Sequence, residues 1–335
     1  MAEYNHISLQ PPIGIYPGDS KESYSMSRAN KIVIGAVLLI LVIIPHVTSD
    51  YIVYVVTLAM LFSMLAASYD LMPGFTGPLS FCPAAFYGLG AYSSALLTLN
   101  TGMSFWLALP VSTIGVFLFA IVVGYPALKL RGHYFAVTTF FFGHFVYLVF
   151  LNSREITKGP LGLGGISPPD SILGIDFGSM TAMYYLILVF GIITVAFLFT
   201  LVNSGVGRLL ISIRENEDLA QASGVNTAFF KVLAFSISSG LAGMTGSLFA
   251  HFFRLLHPTT FSWMTSEMIV IMFLVGGSGT IIGPIIGAGV VTFILELMRF
   301  APELRFIIWS VLLIVILIIE PRGLAGMYYR IRRRV

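Results

Sequence analysis

Between Asp70 and Lys129 the chain carries no Asp, Glu, Lys or Arg. That run of roughly 58 residues has room for two membrane spans of about 20 apolar residues each. Charged residues make up about a quarter of an ordinary soluble chain and only 10% of this one, against 57% hydrophobic residues. A β-barrel would instead show alternating segments of about ten residues. The fold expected is therefore an all-α polytopic membrane protein. The net charge of +3 is too small to point to nucleic acid, and no such partner is expected. The single cysteine, Cys82, has no second cysteine to pair with and no neighbouring base that would activate it. The first 27 or so residues lack the apolar core of a cleavable secretory signal and read as a polar tail.

Ten apolar segments follow: Ile32–Ser49, Tyr51–Leu71, Ala84–Leu99, Phe105–Leu128, Tyr134–Leu151, Met183–Val202, Phe229–Phe249, Ser262–Val275, Ile285–Met298 and Phe306–Ile319. Lys and Arg in short loops set orientation. The five arginines of the ending EPRGLAGMYYRIRRRV, the pair Lys129 and Arg131, and the pair Arg28 and Lys31 fall on one side if there are ten spans. Residues 207–226 share that side. Both termini are then cytoplasmic, with tails at 1–31 and 322–335 flanking a transmembrane domain at 32–321. Arginines at a span's end also anchor it to anionic lipid.

Two Gly/Pro-rich breaks interrupt the pattern: GFTGPL before the third segment and GGSGTIIGPI after the eighth. In two five-span halves of opposite topology these positions correspond, and matched broken or re-entrant segments point to a transport pathway. Unwound backbone at membrane depth needs a cavity or a protein partner to satisfy it; the same glycines also serve close helix packing. Gly74, Gly77, Ser80, Gly276, Gly277 and Ser278 are the pathway candidates, with Tyr92 and with Glu267 inside the short eighth segment. Gly159 and Gly162, in the loop after the fifth, are candidates for an external gate.

The interior stretch GRLLISIRENEDLAQASGVN, residues 207–226, holds five charges between Arg208 and Asp218. Each would cost roughly 3 kcal/mol in lipid, so the stretch lies outside the hydrocarbon. Leu209, Leu210 and Ile213 share one helical face, with Arg208 and Arg214 off it. Asn216 reads as the N-cap of a second short helix, with Glu217 and Asp218 in its positive first turn, and Gly224 as its C′ stop. Small residues Ala220, Ala222 and Ser223 would let that helix enter a groove on a cytoplasmic partner. An interfacial lipid helix would show a broad apolar face and many lysines.

DLAQASG, Asp218 to Gly224, resembles the Glu-Ala-Ala-x-x-x-Gly loop of ABC importer permeases. The run GRLLISIRENEDLAQASGVNTAFFKVLAFSISSGLAGMTGSLFA, with GFTGPLSFCPAAFYGLGAY, KLRGHYFAVTTFFFG, TKGPLGLGGI and EPRGLAG, resembles the branched-chain amino acid importer permeases from Tyr51 onward. The resemblance implies a permease that pairs with a sister permease, two cytoplasmic ATPases and a periplasmic binding protein in the inner membrane. It also implies that Arg208, Arg214, Glu217, Asp218, Ala220 and Gly224 couple the permease to its ATPase. ATP and Mg are expected on the ATPases alone, since the chain has no G-x-x-x-x-G-K-[ST] run. His133 stands where the family often has an acidic residue, and His144 and Tyr147 where it often has Glu and Arg. Related permeases carry urea, short amides, aromatic acids or sugars.

Two other classes are weighed against this reading. An ion-coupled transporter would place ionisable residues at mid-membrane, where Asp70, Glu267, Glu296 and His144 are the candidates. Gly276-Gly277-Ser278-Gly279 looks like the nucleophile motif of rhomboid proteases, but such a serine needs a histidine on a later span as base, and none follows His257. His133 and His144 lie about 16 Å apart along a helix, too far to share a metal. No enzymatic activity is expected of this chain.

Overall fold

The computed structural model describes residues 28–130, 132–172, 174–298 and 323–324. The expectations for the tail before residue 28, for Arg131, for the segment Phe306–Ile319 and for the arginine-rich ending lie outside the described residues. Each of the first nine apolar segments coincides with one helix: α1 (Arg28–Val47), α2 (Asp50–Asp70), α3 (Pro83–Thr101), α4 (Phe105–Ala127), α5 (His133–Asn152), α7 (Met180–Asn203), α10 (Thr227–Phe253), α11 (Trp263–Gly276) and α12 (Ile282–Leu297). Between them lie the single turn α6 (Arg154–Thr157), helices α8 (Gly205–Glu215) and α9 (Glu217–Ala222), and a two-stranded antiparallel pair, β1 (Leu163–Gly164) with β2 (Leu255–Leu256).

Among the described residues, five helices, α2, α4, α5, α7 and α10, are long and apolar enough to cross a bilayer. Of the other expected spans, the tenth lies outside the described residues, α1 counts only from Gly35, and three are shorter or less apolar. α11 has 14 residues and α12 has 16, and α3 is rich in Gly, Ala, Ser and Tyr.

α10 is the axis of the bundle and the most buried of the spanning helices. Its run SISSGLAGMTGSLFA presents small residues to two neighbours at once. A Cβ on Gly246 would collide with the carbonyl of Tyr87 on α3, and one on Gly243 would press on Val116 of α4. α3 and α10 run parallel, because Gly90 meets Gly243 and Ser94 bonds Ser247 and His251. In lipid no hydrophobic effect drives helices together, so backbone approach of this kind supplies much of the attraction. α12 packs on α2 and α11 in the same manner, with Gly287 against Met272 and Gly276 against Gly283.

α3 starts at mid-depth. Its first residue, Pro83, shares a small cavity with Ser238 and Ser239 of α10, about 18 Å along α10 from Thr227 at 1.5 Å per residue. The Ala84 amide donates to Ser266 Oγ of α11 at 3.2 Å. α3 and α11 therefore start side by side and run in opposite directions, α11 toward the end of the bundle that carries α8 and α9.

At the other end the long loop after α5 is stitched down. His251 Nδ1 donates to Ser167 O at 2.7 Å, which leaves Nε2 to accept from Ser94 Oγ at 3.1 Å. His257 Nε2 donates to Pro160 O, Arg254 to Gly178 O, and the Trp106 indole to Asp170 O.

If the glycine contacts hold α10 in place, Gly246→Val should destabilise the detergent-solubilised protein by about 3 kcal/mol, as overpacking does. Gly115→Leu, on an exposed face with nothing within 4 Å, should leave the thermal midpoint unchanged. Equal midpoints for the two variants would remove the packing argument.

Candidate coupling and translocation site

Ser204 starts α8 by accepting from the Val206 amide, and Gly207 packs on the Val202 carbonyl, so α8 folds back tightly against the end of α7. Leu210 and Ile213 face inward, 1% and 3% exposed. Asn216 is the N-cap of α9, its Oδ1 accepting from the Leu219 amide at 2.9 Å, with Glu217 and Asp218 in the first turn. α9 ends in a Schellman turn. Gly224 N donates to Gln221 O, Val225 N to Ala220 O, and Gly224 sits at φ +88. Space around Gly224 is open, so its backbone angle and not crowding demands glycine.

The six residues singled out on this segment divide into two sets. Arg208, Asp218 and Gly224 are exposed. Arg214, Glu217 and Ala220 turn inward, which corrects two sequence expectations. Arg214 does not lie off the apolar face: four residues after Leu210, it comes round to the same side, and its side chain is 16% exposed. Ala220 is packed within the chain at 6% exposure, so it cannot enter a partner's groove. The exposed surface is built instead by Leu219 (65%) with Ala222 and Ser223, and by Phe229 (57%) at the start of α10.

Glu217 pairs with Lys231 Nζ and accepts from Thr227 Oγ1 at 3.3 Å, which ties α9 to α10. Lys231 was not singled out from the sequence. The available signal was a lone lysine inside an apolar segment, which calls for a carboxylate.

The two Gly/Pro breaks differ in form and meet in space. The first, residues 71–82, leaves α2 at the α9 end and climbs unwound to mid-depth. Its first half is held by its own turns, with Gly74 N donating to Asp70 O at 2.8 Å and Thr76 N to Met72 O at 3.0 Å; beyond them hydroxyls serve the backbone, Tyr69 donating to Ser80 O at 2.6 Å and Phe81 N donating to Thr139 Oγ1 at 3.0 Å. The second is a tight turn between α11 and α12, not an unwound stretch at depth. Gly276 closes it against Gly283 and Pro284, and Ser278 is exposed there. The breaks are joined by Asp70, fully buried, whose Oδ1 accepts from the Gly279 amide at 2.9 Å. Arg214 Nη1 of α8 donates to the carbonyl of Gly74, and Gly77 is the bed for its stem, where a Cβ would stand 3.3 Å from Arg214 Cγ. Helix α8 and both breaks thus form one contact.

The remaining candidates lie apart from that contact. Ser80 is buried at mid-depth against Cys82. Tyr92 is buried between Phe150 and Phe261, and its hydroxyl has no partner among the described residues. Glu267 is on the exposed side of α11. Gly159 and Gly162 have positive φ, 53 and 78, in the stitched outer loop, and a Cβ on Gly162 would press on Leu256 O.

A bundle with membrane-length helices, an unwound segment at depth and helices α8 and α9 packed at one end has the architecture of a multi-pass membrane permease. Residues 51–319 match the family described as branched-chain amino acid transport system, permease component, and the chain belongs to that family. It is 29% identical over 319 residues to the high-affinity branched-chain amino acid transport system permease protein LivM of Escherichia coli K12, covering 89% of this chain and 75% of that one. The Salmonella typhimurium LivM is 30% identical over 320 residues, with the same coverage of each chain. The autoinducer 2 import system permease protein LsrC of Salmonella paratyphi B is 27% identical over 251 residues, 70% of this chain and 68% of its own. No solved structure matches the chain. Proteins of this family are transport subunits and not enzymes.

The Glu217–Lys231 pair should respond unequally to removal of its two ends. Glu217→Ala strands a buried ammonium and should cost about 3 kcal/mol, while Lys231→Met removes the buried charge and should cost less than half of that. Thermal unfolding in detergent, with limited proteolysis at residues 216–226, checks the order. The reverse order would mean that the pair does not hold α9.

Proposed function

We propose that this chain is the permease subunit of an ATP-driven importer in the inner membrane, forming half of the pathway beside a sister permease. Two cytoplasmic ATPases bind ATP and Mg; a periplasmic binding protein delivers the solute. The solute class is branched-chain or other hydrophobic amino acids, as the family and the LivM relatives indicate. The observation that carries the reading is α9. A six-residue helix, capped at both ends and tied to α10, is far better ordered than a plain connector requires, and it exposes Leu219 beside Ala222 and Ser223.

On this reading the α9 end is cytoplasmic and α9 docks in a cleft of the ATPase. Arg208, Asp218 and Gly224 meet that partner. Arg214, Glu217 and Ala220 pass its motion inward. Gly74, Gly77, Ser80, Tyr92, Glu267, Gly276, Gly277 and Ser278 contribute to the pathway, and Gly159 and Gly162 hold the external gate. Both tails, 1–31 and 322–335, are cytoplasmic.

Purification of the tagged chain in mild detergent should bring down a second permease and two ATPases, and vesicles holding that complex should take up leucine when ATP and binding protein are present. Gly224→Val and Asp218→Lys should keep assembly and hydrolysis but lower uptake per ATP about tenfold, the scale of a 1–2 kcal/mol coupling loss. A chain recovered alone across several detergents, or normal uptake by both variants, would count against the importer and the docking role respectively.

A further inference from the structure

Asp70 is 0% exposed, and only half of its carboxylate is used. Oδ1 accepts from Gly279 N at 2.9 Å, and Oδ2 has no partner among the described residues. A buried acceptor left idle needs a reason, and a buried carboxylate held only by backbone amides is costly to keep. The groups around it are few. From the α11–α12 turn come backbone amides, and from α8 comes the guanidinium of Arg214, the one positive charge among the described residues that acts on this carboxylate.

Arg214 is already beside it. Nη1 sits on Gly74 O, and the Gly74 amide donates to Asp70 O at 2.8 Å, so arginine and aspartate hold the same turn of backbone. Gly74 leaves no side chain between them, since a Cβ there would overlap Asp70 Oδ1. Nη2 meanwhile reaches outward to Glu215 Oε1 at 2.7 Å, and Glu215 is 51% exposed. An exposed pair of that kind is readily given up. The arginine thus straddles the boundary, one nitrogen inside and one outside, within reach of a carboxylate whose second oxygen is open.

Resting on the importer reading above, we propose that Arg214 is the positioning residue that links hydrolysis to the pathway by exchanging seats, from Gly74 O and Glu215 to the carboxylate of Asp70. The lever is α8 itself. Its C-terminus joins α9 through the Asn216 cap, and α9 is tied to α10 by Glu217 and Lys231. Displacement of α9 by a partner rotates Arg214 about its bed on Gly77. A bidentate guanidinium on Asp70 takes the open Oδ2 and also Oδ1, where it competes with the Gly279 amide that now joins the two breaks, so the exchange loosens one break from the other. Bidentate geometry suits arginine for such a move, and lysine fills only part of it.

The test uses the whole importer in vesicles, measuring hydrolysis and uptake in the same preparation. Arg214→Gln and Asp70→Asn should each keep hydrolysis and lower uptake per ATP about tenfold, and the double variant should be no worse than either single, as for two ends of one interaction. Arg214→Lys should restore part of the ratio. Hydrogen exchange of the peptide that contains Gly279 should differ between nucleotide-free and ATP-trapped wild type and not in Arg214→Gln. That second readout decides the matter if Asp70→Asn fails to assemble. Normal uptake per ATP in Arg214→Gln, multiplicative losses in the double variant, or equal exchange in the two wild-type states would overturn the proposal. Wild-type vesicles without ATP-driven uptake would instead sink the importer reading.

Discussion

Backbone polar groups at membrane depth find no water, and after the turns of residues 71–77 the chain runs from Pro78 to Cys82 with no helical ladder to satisfy them. Everything around it is arranged to meet that demand. Thr139 of α5 takes the Phe81 amide, Tyr69 of α2 gives its hydroxyl to Ser80 O, and Ser266 of α11 takes the first amide of α3. Three helices are thereby placed around one unwound strand of chain. The close glycine contacts of α10 with α3 then hold the fourth side. Irregular backbone is tolerated within a bilayer only where protein or a cavity covers it, and a transport protein can use the irregularity because it is not locked into a helical ladder.

The two ends of the bundle are built differently. At the α6 end, imidazoles, an indole and a guanidinium bond loop carbonyls, and a short β pair closes the loop over the helices. At the α9 end, beside the Glu217–Lys231 tie, the bonds that reach the two breaks meet where Arg214, Gly74, Asp70 and Gly279 come together. α8 is therefore joined to both breaks through one side chain, whereas the loop after α5 is held through many. The six-residue length of α9 fits this arrangement, because a short capped helix moves as a unit.

Much of this was legible in the chain. Nine apolar segments fall on nine helices, and the Asn216 cap and the Gly224 stop are where a helix signal places them. Capping and apolar periodicity are local, so a single sequence reveals them. Arg214 was read off the apolar face although it stands four residues after Leu210, and the acceptor that holds it inside, the carbonyl of Gly74, lies 140 residues away in the chain. Ala220 was misplaced because small size suits both a groove on a partner and a seat within the chain. The GGSG stretch looked like a second unwound break, and only the contacts of Gly276 and Gly287 show a tight helical turn.

By itself the sequence determined that the chain is a helical membrane protein, where nine of its apolar helices lie to within a turn, and where the cap and stop of α9 fall. Composition and local backbone preference suffice for each. The tertiary structure decided what those pieces touch. It alone brings Asp70 to Gly279, Lys231 to Glu217 and Arg214 to Gly74, and it alone shows that α3 begins at mid-depth. Those contacts join residues far apart in the chain, and their partners are chosen by burial and by the need to satisfy polar groups where water is absent, which no local pattern encodes.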